Sequence, residues 1–123
     1  MTVGDGIIMN QIKVIRGAIC AENTAESISE NALTLVKEIL TKNCLSAQQV
    51  SAVFFSATHD LNACYPAKKV RETLLPDAAF MCFQEMAVDE SLPYCIRVAV
   101  FAETEEVHHC YLGKAAALRL DLQ

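Results

Sequence analysis

The chain has 123 residues, 53% of them hydrophobic, with no Trp and a formal net charge of −5. That length suits one domain, and the apolar content excludes an intrinsically disordered chain. The acidic balance, with no long run of like charge, leaves no basic footprint for nucleic acid.

Residues 1–10 show no pattern and are expected to form a flexible N-terminal extension, ahead of a single domain over 11–123. Ile12 to Ile15 read as a short strand, and Gly17 as a turn or a close backbone approach. From Thr24 to Asn43 the spacing predicts a helix. Ile28, Ala32, Leu35, Val36, Ile39 and Leu40 repeat at helical period, while Glu30, Lys37 and Thr41 occupy the other face. Thr24 suits the N-cap, and Glu26 falls in the first turn, where the helix dipole favours a carboxylate. Ser46 is placed to cap a single turn through Gln49.

Ala52 to Ser56 read as a buried strand, and Ala57 to Tyr65 as a loop. Pro66 suits the first position of a short helix reaching about Thr73. Further strands are expected at Ala79–Phe83, Tyr94–Ala102 and Val107–Leu112, with a helical turn at Ala115–Leu118. Strands mixed with one long and one short helix give an α/β (α+β) domain.

No apolar run approaches the length of a membrane span. No basic segment followed by an apolar run opens the sequence, which implies a cytoplasmic protein with reduced thiols. The six cysteines contain no C-x-x-C pair, which argues against zinc and thioredoxin-like readings, and most are expected to be buried. The apolar share is high for a lone small domain and points to subunit contacts.

Taken by residue type alone, the polar candidates keep ordinary readings. Arg97, inside an apolar strand, is either an edge residue facing solvent or a deliberately placed charge. Arg16 beside Gly17 reads as a turn charge, and Glu85 as a solvated loop carboxylate. Lys68, Lys69 and Arg71 read as a solvated helix face, Tyr111 as a half-buried strand aromatic, and Cys82 as core. His108 and His109 read as surface residues at a strand end.

Five segments alter these readings: IRGAI at 15–19, SATHDLNACYPAKKVRE at 56–72, CFQEM at 82–86, CIRV at 95–98 and HCYLGKAAALR at 109–119. In order and spacing they resemble the AroH-type chorismate mutases, over about residues 11 to 122. The resemblance implies a homotrimer. Each subunit would contribute a mixed sheet with helices packed on it, the three sheets would form a pseudo-barrel, and active sites would lie between neighbouring subunits. It implies chorismate as substrate and prephenate as product, with no cofactor, metal, nucleic acid or membrane involved.

The implied reaction is a pericyclic rearrangement within one molecule. The enzyme must hold a compact conformer of a flexible dianion and stabilise charge on the breaking ether oxygen. Arginine suits both tasks, being permanently charged with a planar fork of donors. By resemblance, Arg97 would hydrogen-bond the ether oxygen and one carboxylate, and Arg16 with Tyr111 would bind the other. Glu85 would accept the substrate hydroxyl, with Cys82 adjacent. Tyr65, Ala67, Lys68 and Arg71 would line the neighbouring wall, and Leu118 and Arg119 would close over the ligand.

The chain departs from that pattern in places. Tyr65 stands where Phe is frequent, the turn after Arg16 is about one residue shorter, Gly113 replaces a larger polar residue, and little follows Arg119. Two other readings stand beside this one. Small imine and enamine deaminases resemble this architecture and also grip a carboxylate with an interface arginine, and a non-catalytic module could bind such dianions without turnover.

Overall fold

A computed structural model describes residues 11–122, so the expected flexible extension at residues 1–10 lies outside the described residues. The elements are β1 (Ile12–Cys20), α1 (Ala25–Lys42), β2 (Val50–Ala57), α2 (Ala67–Thr73), β3 (Ala79–Gln84), β4 (Cys95–Glu103) and β5 (Cys110–Tyr111). Short 3₁₀ turns occupy Ala47–Gln49, Gly113–Ala117 and Leu120–Leu122. The strands form one sheet in the order β3-β2-β4-β1-β5. β4 runs antiparallel to both β1 and β2, while β3 and β5 pair in parallel with β2 and β1. The mixed sheet with one long and one short helix is the expected class.

The helix α1 forms where its periodicity places it. Thr24 accepts a hydrogen bond from Ser27 N at 3.0 Å, satisfying one of the donors left open in the first turn. Glu26 and Lys42 sit at the ends the macrodipole favours. Ile28, Ala32, Leu35, Val36 and Ile39 are fully buried, whereas Leu40 is only half-buried and Leu33 joins the core instead. Asn43 closes the helix. Its Nδ2 donates to the carbonyls of Ile39 and His108, and its Oδ1 accepts from His108 N at 2.7 Å. One buried side chain thereby ties the end of α1 to the approach to β5.

Five sequence expectations need correction. β1 does not stop at Ile15 but runs to Cys20, with Gly17 in its middle. A Cβ at Gly17 would lie 2.5 Å from the Cys110 carbonyl oxygen and 3.1 Å from the Cδ1 atoms of Leu35 and Ile39. The glycine therefore serves a close approach between β1, β5 and α1, and makes no turn. The last strand is Cys110–Tyr111, shorter than Val107–Leu112, because Asn43 engages the backbone of His108. β4 begins at Cys95, since Tyr94 takes a left-handed φ of 51° that a strand cannot contain. Only Cys95 and Cys110 are buried; Cys20, Cys64 and Cys82 are intermediate and Cys44 is exposed. Pro66 takes the N-cap position and α2 begins at Ala67, one residue later than expected, an ordinary uncertainty of helix ends.

Alternation along the strands separates two faces. On one, Ile15, Val53, Phe55, Ile96, Val98 and Val100 pack with the apolar stripe of α1 and with Val70 of α2. Each such fully buried side chain stabilises the fold by about 1.5–3 kcal/mol. Among the described residues only the C-terminal segment, packed over Ala18, Cys95 and Tyr111, covers part of the other face. Phe54 lies across it, with ring centroids 5.8 Å from Phe83 on β3 and 5.0 Å from Phe101 on β4. Val14, Met81 and Phe83 remain exposed there, at 41%, 53% and 49%.

Candidate active site

The candidate site residues gather on and around the open face of the sheet. β4 is its central strand, so Arg97 is no edge residue. It is flanked by Ser56 on β2 and Ala18 on β1, both small, which leaves room for a guanidinium above the sheet. Its Nε stands 3.2 Å from Glu85 Oε2, and the other carboxylate oxygen of Glu85 accepts from Ser56 Oγ at 2.6 Å. Glu85 is placed by its own backbone N–H, which donates to the Ala57 carbonyl at 2.8 Å and prolongs the β2–β3 ladder by one residue. The expected solvated carboxylate is thus held on two sides.

The ion pair leaves Arg97 incompletely used. Its Nε is buried, and although Glu85 is close, the alignment is not that of a hydrogen bond. Among the described residues the Arg97 guanidinium makes no hydrogen bond, and neither does that of Arg16. Both line one concavity of about 310 Å³, together with Ser56, Phe83, Tyr111 and Arg119. No carboxylate among the described residues lines it. Two forks without hydrogen-bonded partners, a third arginine at the rim and apolar walls have the donors and the shape to hold a compact anion through more than one carboxylate.

The parts of this concavity come from distant places in the chain. Arg16 lies on β1 opposite Ala99, and Ala18 sets Tyr111 beside it through the β1–β5 pairing. Tyr111 is buried, not half-buried, and packs with Ala18, Cys95, Ala115 and Leu118. Leu118 therefore belongs to a small cluster under the C-terminal segment. Arg119 leaves that segment with its guanidinium on Asp121, Nη2 to Oδ2 at 2.7 Å and Nε to Oδ1 at 3.0 Å. This contact, more than the charge itself, holds the Asp121 carboxyl below its usual range.

The remaining candidates fall elsewhere. Tyr65 and Cys82 line a second concavity at the end of β2 and β3, sharing Phe83 with the first. Burial raises the Cys82 thiol, with a backbone contact to Ala67 opposing it. Ala67 itself is buried at the start of α2. Lys68 and Arg71 are exposed on α2 and line neither concavity, while Lys69 pairs with Glu30. One chain brings together Arg16, Glu85, Arg97, Tyr111 and Arg119, and leaves Lys68 and Arg71 apart from them. Among the described residues, no group of three or more His, Cys, Asp or Glu gathers as a metal site.

Two residues were missed from sequence. Ser56 sits two positions after Phe54 on the same face, so strand alternation could have found it once β2 was paired with β4. His109 is no simple surface residue: its Nδ1 accepts a hydrogen bond from Arg16 N at 2.9 Å. Burial, then the cations of Arg16 and Arg119, hold this imidazole below its usual range, opposed in part by the backbone contact with Arg16.

Residues 12–122 match the family model for chorismate mutase type I. The chain is 38% identical over 117 residues to chorismate mutase AroH of Bacillus subtilis (strain 168), covering 90% of this chain and 92% of that protein. It is 34% identical over 118 residues to chorismate mutase AroH of Thermus thermophilus, covering 91% and 97%. The fold is similar to that of a solved chorismate mutase from Clostridium thermocellum, with a TM-score of 0.82 and 34% identity over 85% of this chain and 98% of the other.

Proposed function

The chain belongs to the type I chorismate mutase family, and from that premise we propose that it is an isomerase converting chorismate to prephenate, in the supply of phenylalanine and tyrosine. The observation that carries the reading is the Ser56–Glu85–Arg97 arrangement, in which Ser56 and Arg97 share one concavity with Arg16, whose guanidinium makes no hydrogen bond among the described residues.

In the proposed mechanism a C–O bond breaks as a C–C bond forms within one substrate molecule, with no covalent intermediate. The site selects the compact conformer and stabilises charge developing on the ether oxygen. Arg97 donates to that oxygen and to one carboxylate. Its attachment to Glu85 aims the fork, and the lack of a good hydrogen bond at Nε leaves its donors uncommitted. Arg16 and Tyr111 take the other carboxylate, and Glu85 accepts the substrate hydroxyl. Leu118 and Arg119 close the rim.

Tyr65, Ala67, Cys82, Lys68 and Arg71 complete the site from a neighbouring subunit. The homotrimer this requires is supported by the uncovered apolar face of the sheet and by the separation of Lys68 and Arg71 from Arg97 in one chain. Among the described residues no helix is long and apolar enough to cross a membrane. A cytoplasmic location accords with that and with the unpaired cysteines.

The test is direct. Purified protein is mixed with chorismate, loss of its ultraviolet absorbance is followed, and the product is converted by acid to phenylpyruvate. Turnover lost in Arg97→Ala is the expected result. Saturable binding without turnover would replace the enzyme by a binding module. Activity on a 2-imino acid alone would replace it by a deaminase.

A further inference from the structure

The edge between β1 and β5 contains a gap that a side chain fills. At Ala18 the strand turns its carbonyl toward β5, where it accepts from Leu112 N at 2.9 Å. Two residues earlier, Arg16 turns its N–H to the same side. β5 pairs only Gly17 with Cys110 and Ala18 with Tyr111, so no strand backbone faces Arg16 N–H. The acceptor there is the imidazole Nδ1 of His109, at 2.9 Å.

We propose that His109 is a positioning residue for Arg16, its neutral imidazole standing in for the missing strand partner and fixing the direction in which the Arg16 guanidinium leaves β1. The proposal rests on the reading of Arg16 as a carboxylate-binding residue. On a strand, side-chain direction follows from the backbone. Pinning the N–H of Arg16 therefore orients its fork toward the concavity it shares with Arg97. An imidazole that accepts at Nδ1 carries its proton on Nε2. Adding a second proton turns the acceptor into a donor and places a new cation beside existing ones.

Those neighbours are all positive toward the ring. Arg16 comes from β1 and Arg119 from the C-terminal segment, while Lys42 at the end of α1 donates to the His109 carbonyl at 3.4 Å. Of the carboxylates in this region, Asp121 pairs with Arg119 and Glu106 lies 3.6 Å from His108 Nε2, while Glu38 on α1 acts on the adjacent Cys110 together with Lys42. The proposal thus adds a dependence on pH to a reaction that moves no proton, and confines it to the acid side of the usual imidazole range.

The experiment compares wild type, His109→Ala and His109→Asn. An Asn carbonyl oxygen can accept from the same N–H without titrating. At pH 7.5, His109→Ala is expected to raise KM for chorismate about tenfold and lower kcat by less than about threefold, the pattern of lost uniform binding. His109→Asn should stay within about twofold of wild type, the acceptor being retained. Below pH 6.5 the wild-type KM should climb while that of His109→Asn stays flat.

The Arg16 amide, followed by ¹⁵N–¹H nuclear magnetic resonance, should titrate with the same midpoint in wild type and not in His109→Asn. An amide that does not titrate in folded wild type, or equal KM values for the Ala and Asn variants, overturns the proposal. Should wild type bind chorismate without converting it, the mutase reading fails alone. The amide titration and the variants' dissociation constants, measured by calorimetry, then decide the role of His109.

Discussion

On the helix side of the sheet, Phe55 and Val98 are sealed by α1 and α2; one residue away on the same strands, Phe54 and Arg97 face an open surface. The helix side is finished by the chain itself, and every large residue in it has found its packing partners. The open side holds the same strands' other residues: a row of three phenylalanines, an exposed methionine, and the arginines of the proposed site. Core packing and the proposed chemistry thus fall on alternate residues of one sheet. A sequence change can be assigned to one or the other by its parity along the strand.

That division can be broken at its sharpest point. Arg97→Ala should lower kcat/KM at least about a hundredfold, as for loss of a donor to a developing oxyanion, roughly 3 kcal/mol or more, with Arg97→Lys failing to restore it. Its thermal midpoint should barely move. Steady-state kinetics beside a melting curve check both halves, and a large loss of stability with little loss of rate would place Arg97 on the structural side after all.

Phe55 and Phe54 make the converse pair. Phe55→Ala should destabilise folding by about 3–5 kcal/mol, the cost of emptying a closed core site. Phe54→Ala should cost the isolated protomer less than about 1 kcal/mol, since much of that face is already open, and should instead weaken self-association in sedimentation. Equal costs in denaturant titration would show that the two faces are not distinct. Gly17→Ala comes next, at about 1–3 kcal/mol, because its Cβ would collide with the Cys110 carbonyl before reaching the Leu35 and Ile39 side chains.

Much of the helix side could be read from sequence. The i, i+3, i+4 pattern and Thr24 located α1, and the runs of apolar, β-forming residues around Phe55 and Val98 located their strands. What escaped depends on pairing. Gly17 read as a turn or a close backbone approach, and the sequence could not choose between them because the close neighbours, here Cys110 and two residues of α1, lie far away in sequence. The central place of β4, which settles that Arg97 is no edge charge, is a property of the sheet order. The site residues were reachable by resemblance, but Ser56 and His109 act through partners 29 and 93 residues away, Glu85 and Arg16, and only the register exposes them.

The smallest effect expected near neutral pH concerns Cys95, on the open side next to Arg97. Burial first, then the Cys20 thiol opposite, push its pKa up from 9.0 to about 11, with Arg97 opposing and Glu85 adding to the rise. A folded pKa above the unfolded one means the neutral thiol is favoured by folding. The contribution is complete below about 9 and is lost as pH rises toward 11. Denaturation midpoints should therefore fall across that interval, and less steeply in Cys95→Ala. An identical slope in the variant would assign the alkaline loss to other groups.

The uncovered face also governs what a stability measurement on this protein means. Val14, Met81 and Phe83 are half in solvent in one chain, and if the proposed trimer covers them with other copies, dilution would itself act as a denaturant. Unfolding would then release several chains from one particle, and its midpoint would climb with protein concentration. The comparisons above between Phe54 and Phe55 accordingly belong at matched concentrations. A single folding free energy describes the protomer only with the concentration stated beside it.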